Sequence, residues 1–89
     1  MATLFVRHQV EDYAAWRMQY DEFDAKRTSM GVTAASVFRA VDDGNDVTVT
    51  HDFADLASAQ AFAGSPELKA VMSQAGVVGA PTIWFTNPA

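Results

Sequence analysis

The chain has no cysteine, which removes disulfides, thiol nucleophiles and thiolate-bound metals together. Positive charge is scarce: six Lys and Arg stand against eleven Asp and Glu, for a net charge of −5. Phosphate backbones and anionic lipid surfaces both need clustered cations, so neither nucleic acid nor membrane is expected as a partner. No apolar run reaches the length of a membrane span, and no basic-then-apolar leader opens the sequence, so a cytoplasmic location is expected. Only two histidines occur, His8 and His51.

Apolar material, in contrast, is plentiful. Hydrophobic residues make up 49% of the 89, with two Trp, two Tyr and six Phe. So short a chain forms one domain, residues 1–89, and its own core is small. The surplus implies an oligomer interface or a ligand pocket. A homodimer is the expectation.

The first half is echoed by the second. Leu4 to Ala14 aligns without gaps on Val47 to Ala57, matching Val6 with Val49, His8 with His51, Asp12 with Asp55 and Ala14 with Ala57. Each stretch alternates apolar and polar residues as a strand does, then meets an Asp placed to cap a helix. Each helical stretch stops at Gly-Val, at Gly31-Val32 and Gly76-Val77. In the first helix Tyr13, Trp16, Tyr20 and Phe23 recur at steps of three, four and three, forming one apolar stripe. Val32 to Val41 reads as a second strand, Asp42 to Asn45 as a turn and Asp46 to Phe53 as the third strand. Gly64-Ser65-Pro66 predicts a kink or restart in the second helix. Val77 to Ala80 reads as a linker, and Pro81 to Thr86 as the last strand.

The order β-α-β-β-α-β specifies an α+β, ferredoxin-like sandwich: a four-stranded antiparallel sheet with two helices on one face. The first and third strands are expected at its centre as parallel neighbours. The bare sheet face needs a cover, and a second copy packed face to face supplies one.

Asp12-Tyr13 with Trp16, then Thr50-His51-Asp52-Phe53 followed by Ala63-Gly64-Ser65-Pro66-Glu67-Leu68, resembles the dimeric α+β barrel superfamily. Antibiotic-biosynthesis monooxygenases, polyketide cyclases and haem-degrading monooxygenases belong to it, as do small bacterial members labelled cyclases. The resemblance covers nearly the whole chain and implies a dimeric α+β barrel. Two departures bear on chemistry. Oxygenases of this type often carry a His on the second helix before the Ser-Pro step, where this chain has Phe62. Haem degraders ligate iron through a second-helix His and carry an Asn on the first strand. Neither feature is present, so haem and other cofactors are not expected.

The paired capping Asp residues imply that His8 and His51 point the same way from adjacent strands, with Cβ atoms about 5 Å apart. Leu4, Val6, Val47, Val49 and Phe53 share their face, and Trp16, Tyr20 and Phe62 look down on it. Two imidazoles in an apolar pocket suit proton transfer, since burial keeps histidine neutral and basic. His51 and His8 are the candidate catalytic residues, and Trp16, Tyr20, Phe53 and Phe62 the candidate substrate contacts. A metal is not expected, for want of a third ligand on that face. Arg7 and Asp52 fall on the other sheet face, where they would form an ion pair at the dimer interface or line the barrel interior, and Trp84 is expected as an interface anchor rather than a substrate stack.

Three functions remain compatible with these residues. The first is a cofactor-independent cyclase, isomerase or monooxygenase acting on a small aromatic or polyketide-like molecule, with His51 as general base. The second is a metabolite-binding module that uses the same pocket without turnover. The third is a structural dimer with satisfied core histidines.

Overall fold

A computed structural model describes all 89 residues, Met1–Ala89. Its elements are β1 (Ala2–Val10), α1 (Tyr13–Glu22), α2 (Asp24–Ser29), β2 (Val32–Ala40), β3 (Asp43–Phe53), α3 (Leu56–Ala63), α4 (Pro66–Gln74) and β4 (Val77–Thr86). The strands form one antiparallel sheet in the order β2-β3-β1-β4. No helix is long and apolar enough to cross a membrane.

The helix starts follow the capping residues. The Asp12 carboxylate accepts from the Ala14 N–H, Asp55 from Ser58 N–H, and the Ser65 hydroxyl from Leu68 N–H. Each cap satisfies a backbone donor that the first helical turn leaves free. Pro66 then fits the opening turn, where its missing N–H costs nothing. Gly31 and Gly76 both take positive φ, +101° and +81°, and end α2 and α4. Each of the two expected helices is thus two: the second restarts at Ser65 as the sequence implies, and the first also breaks, at Phe23.

The centre of the sheet differs from expectation. β1 and β3 run antiparallel, with Val6 opposite Val49, Leu4 opposite His51 and His8 opposite Val47. The cause is topological. A right-handed crossover makes β1 parallel to β2. β3 turns back from β2 as a hairpin and inserts between the two, so it opposes both. The two halves of the repeat are therefore related by a two-fold axis through the Val6–Val49 pair. Asp12 and Asp55 start their helices from opposite ends of the sheet. His8 and His51 end up four positions out of register, about 13 Å apart along the strands at ~3.3 Å per residue. The 5 Å pairing does not occur.

Two smaller corrections concern the loops. The β2–β3 reversal falls at Val41 and Asp42, and Gly44 and Asn45 form the irregular start of β3. There the Asn45 side chain accepts from Tyr13 N–H and donates to the Glu11 carbonyl, tying the hairpin to the start of α1. Val77 to Ala80 belongs to β4 instead of a linker. Gly79, at φ +72°, sits in a bulge where the pairing jumps from Arg7–Thr82 to Gln9–Val78.

All four helices lie over one face. Beneath them, Ala2, Leu4, Val6, Phe53, Ala59, Phe62 and Leu68 form one buried cluster, and Val10, Trp16, Val47, Val49 and Ala75 a second. The clusters occupy the two halves of the pseudo-two-fold, with one histidine in each. The opposite face carries Phe5 and Trp84, stacked at 5.0 Å between ring centres, together with the exposed Phe38. Arg7 on this face pairs with Asp46 at 2.6 Å, and Asp52 accepts instead from the Thr3 hydroxyl. The expected Arg7–Asp52 pair is absent because antiparallel register sets Arg7 opposite Thr48, next to Asp46 and four positions from Asp52.

Candidate functional site

A cavity opens between the two core clusters. Val6, His8, Val49 and His51 form its floor on β1 and β3. Trp16, Tyr20, Phe23 and Arg27 wall it from α1 and α2, and Leu68, Val71, Met72 and Ala75 from α4 and its end. Its volume is about 40 Å³, and it is open to solvent on one side. That is room for two or three waters, or for a single-ring ligand once the half-exposed Val71 and Met72 give way.

Both histidines are on the helix-covered face, as the alternation of β1 and β3 requires, with 6% and 4% of their surface exposed. The His8 ring meets Trp16 edge-on at 5.7 Å, and the His51 ring lies 5.1 Å from Phe62. Neither nitrogen of His8, nor Nδ1 of His51, has a hydrogen-bond partner. An imidazole in such surroundings is costly to charge. Burial pushes His51 down to about 4, aided by the nearby Arg27 cation and opposed by Asp52. Burial also lowers His8, against the pull of Asp46. Tyr20 is shifted upward by burial, with Arg27 and Arg17 opposing.

Of the residues singled out in the sequence, His8, His51, Trp16 and Tyr20 line this one cavity. Phe53 and Phe62 do not. They lie behind His51, 0% and 1% exposed, with ring centres 5.5 Å apart. His8 also borders a polar hollow on the open face with Arg7, Gln9, Asp46 and Trp84. The β4 bulge leaves His8 without a partner on that strand, so its ring sits beside a gap in the sheet. Against a metal, the two imidazoles stand too far apart to share an ion, and no carboxylate lines the cavity with them.

Arg27 is the residue the sequence reading passed over. Only 4% of it is exposed, yet the signal was present: it lies four residues after Phe23 and seven after Tyr20, on the apolar stripe of the first helical segment. Its guanidinium stacks 3.7 Å above the Tyr20 ring centre and donates to the Tyr20 carbonyl at 2.6 Å. A stripe defined by apolar residues alone excludes an arginine that follows the same spacing.

No family model and no curated protein matches the sequence. Solved structures do match over nearly the whole of this chain. A structure described as an antibiotic biosynthesis monooxygenase from Bordetella bronchiseptica superposes with a TM-score of 0.84 at 10% identity, covering 99% of this chain and 96% of that one. SnoaB, a cofactor-independent oxygenase from Streptomyces nogalater, gives 0.79 at 13% identity over 99% and 92%. A protein of unknown function from Nitrosomonas europaea gives 0.76 at 23% identity over 96% and 85%. At these identities the likeness carries fold and not chemistry. The chain therefore has the α+β fold of the antibiotic biosynthesis monooxygenases.

Proposed function

We propose that this protein binds a small aromatic or polyketide-like molecule between sheet and helices, and that neutral His51 acts on it as general base without a cofactor. The observation that carries the reading is an uncharged imidazole, buried among apolar side chains and lining a small cavity between sheet and helices. The fold it shares with a cofactor-independent oxygenase is consistent with such a role. His51 would take a proton from an acidic O–H or C–H of the ligand, and the anion left behind would cyclise, isomerise or react with dioxygen. His8, about 13 Å away along the strands, is beyond proton-relay distance of His51.

The strength of the base limits the substrate. Proton transfer from an ordinary phenol near pKa 10 to an imidazole at about 4 is uphill by ~8 kcal/mol. An acyl-activated phenol or a 1,3-dicarbonyl closes much of that gap. The same weakness, with the tight cavity, favours a second reading in which the pocket binds a metabolite without turnover. NMR titration of the two imidazoles, alone and with 2-acetylphenol, tests both. The base reading expects a His51 midpoint near 4 that moves on ligand addition, and deuterium exchange into the ligand that His51→Gln abolishes. Ligand-induced shifts with no exchange in either protein would establish the binding module. A His51 midpoint near 6.5 that ignores the ligand would sink both.

The open sheet face, with Phe5, Phe38 and Trp84, supports a homodimer through that surface. The purified protein should sediment at twice the 9.6 kDa chain mass, and Trp84→Arg should shift it toward the monomer. A wild-type protein monomeric at high micromolar concentration would rule the dimer out.

A further inference from the structure

The wall of the cavity is cationic although the chain as a whole carries −5. Arg27 is its one permanently charged lining residue, and none of the twelve lining residues is an Asp or Glu. A guanidinium this deep needs compensation for lost hydration. It receives a neutral carbonyl from Tyr20, the face of the Tyr20 ring, and one 3.3 Å bond to Asp24, whose side chain is 77% exposed. Its Nε–H is sealed from solvent and bonds to nothing. Lys26, its neighbour in sequence, turns outward to Glu67. The positive charge inside the cavity is therefore only partly answered from within the protein.

We propose that the cavity selects an anion: a molecule of single-ring size whose oxyanion, carboxylate or phenolate, is received by the Arg27 guanidinium beside His51. The inference rests on the cavity being the ligand site. It adds the charge that the ligand must carry. The remaining wall, Trp16, Phe23, Leu68, Val71 and Met72, suits an apolar ring and offers no other strong anion donor. Arg27 also acts on His51 through space, adding to the burial that chiefly keeps the imidazole uncharged. A bound anion cancels that field, so occupancy makes His51 a stronger base when substrate is present and leaves it neutral otherwise. The charged and titratable groups around this pair are Asp24, Tyr20, Asp52, Arg17 over the Tyr20 ring, and His8; of these, Tyr20 and His8 line the cavity.

Benzoate and benzamide separate charge from shape, since the two are near-isosteric and only one is ionised at neutral pH. Binding is read by NMR on the whole protein. Wild type should bind benzoate about ten- to a hundredfold more tightly than benzamide, the range expected of one charge-assisted hydrogen bond. Benzoate should also raise the His51 midpoint, and benzamide should leave it in place. Arg27→Met keeps the apolar stem and should remove the preference for benzoate without weakening benzamide. Arg27→Lys should restore part of it. Equal binding of the two probes to wild type, or benzamide preferred, overturns the anion assignment and leaves the cavity reading intact. If neither probe perturbs Trp16, His8 or His51 at saturating concentration, both fail together.

Discussion

Lowering the pH from 7 to 5 at fixed protein concentration should cost the fold about 2 kcal/mol. The sign follows from the direction of the shift. His51 is held at about 4 in the folded chain and returns to ~6.5 when unfolded. Above ~6.5 both states are neutral and its contribution does not depend on pH. Between ~6.5 and 4 the unfolded chain takes up a proton that the folded chain refuses, and stability falls as pH falls. Below about 4 the folded imidazole also protonates and the His51 contribution levels off, near 3 kcal/mol in total. His8 is lowered for the same reason and adds to the loss in the same direction. Asp46 and Asp55, both depressed by hydrogen bonds, act lower, through the ordinary carboxylate range. For an 89-residue domain of ordinary marginal stability, such a loss is a large fraction of the total. Urea unfolding at pH 7, 6 and 5 measures it, with His51→Gln expected to flatten the profile to the His8 remainder. A wild-type free energy constant within error from pH 7 to 5 contradicts burial of both rings.

The architecture was legible in the residues because its signals are local. Alternation in Leu4 to Val10, caps at Asp12, Asp55 and Ser65, and glycines at 31 and 76 each act within a few residues, and each holds in the structure. The geometry of the site was not legible, because it depends on strand direction across the sheet. An internal repeat is satisfied equally by translation and by two-fold rotation, and only the hairpin from β2 to β3 decides between them. Translation would pair His8 with His51; rotation pairs Val6 with Val49 and moves the histidines apart while leaving both on one face. Which face they share survives either choice, since it depends on parity alone. That is why His8, His51, Trp16 and Tyr20 come to line one cavity although the distance expected between the imidazoles does not occur. The bulge at Gly79 has a similar origin. Its sequence resembles a turn, and only the length of β1 opposite shows that β4 continues through it.

Phe62→Ala should be the most damaging single truncation, removing ~3–5 kcal/mol. The ring is 1% exposed and meets Phe53, His51 and Phe23 at centre distances of 5.5, 5.1 and 6.4 Å. Its loss leaves a void under α3 that rigid neighbours on β3 cannot fill, so cavity and transfer costs add. The effect has a second, independent signature. Phe62 forms the apolar backing of His51, and burial is the leading cause of that imidazole's low pKa. A void large enough for water beside the ring restores part of its hydration. The His51 midpoint should then rise toward 6.5, and the slope of stability between pH 7 and 5 should shrink even as stability at pH 7 drops. Phe62→Leu, which keeps most of the volume, should lose far less and keep the slope. Urea unfolding at both pH values, with the His51 titration, separates these outcomes. A Phe62→Ala protein within ~1 kcal/mol of wild type, or one with an unmoved His51, would show that Phe62 does not set the environment of the base. Phe62 sits on α3 with its ring 5.1 Å from that of His51. An imidazole there would bring a polar partner to His51. A phenyl ring withholds it and leaves His51 buried against an apolar face with a free Nδ1.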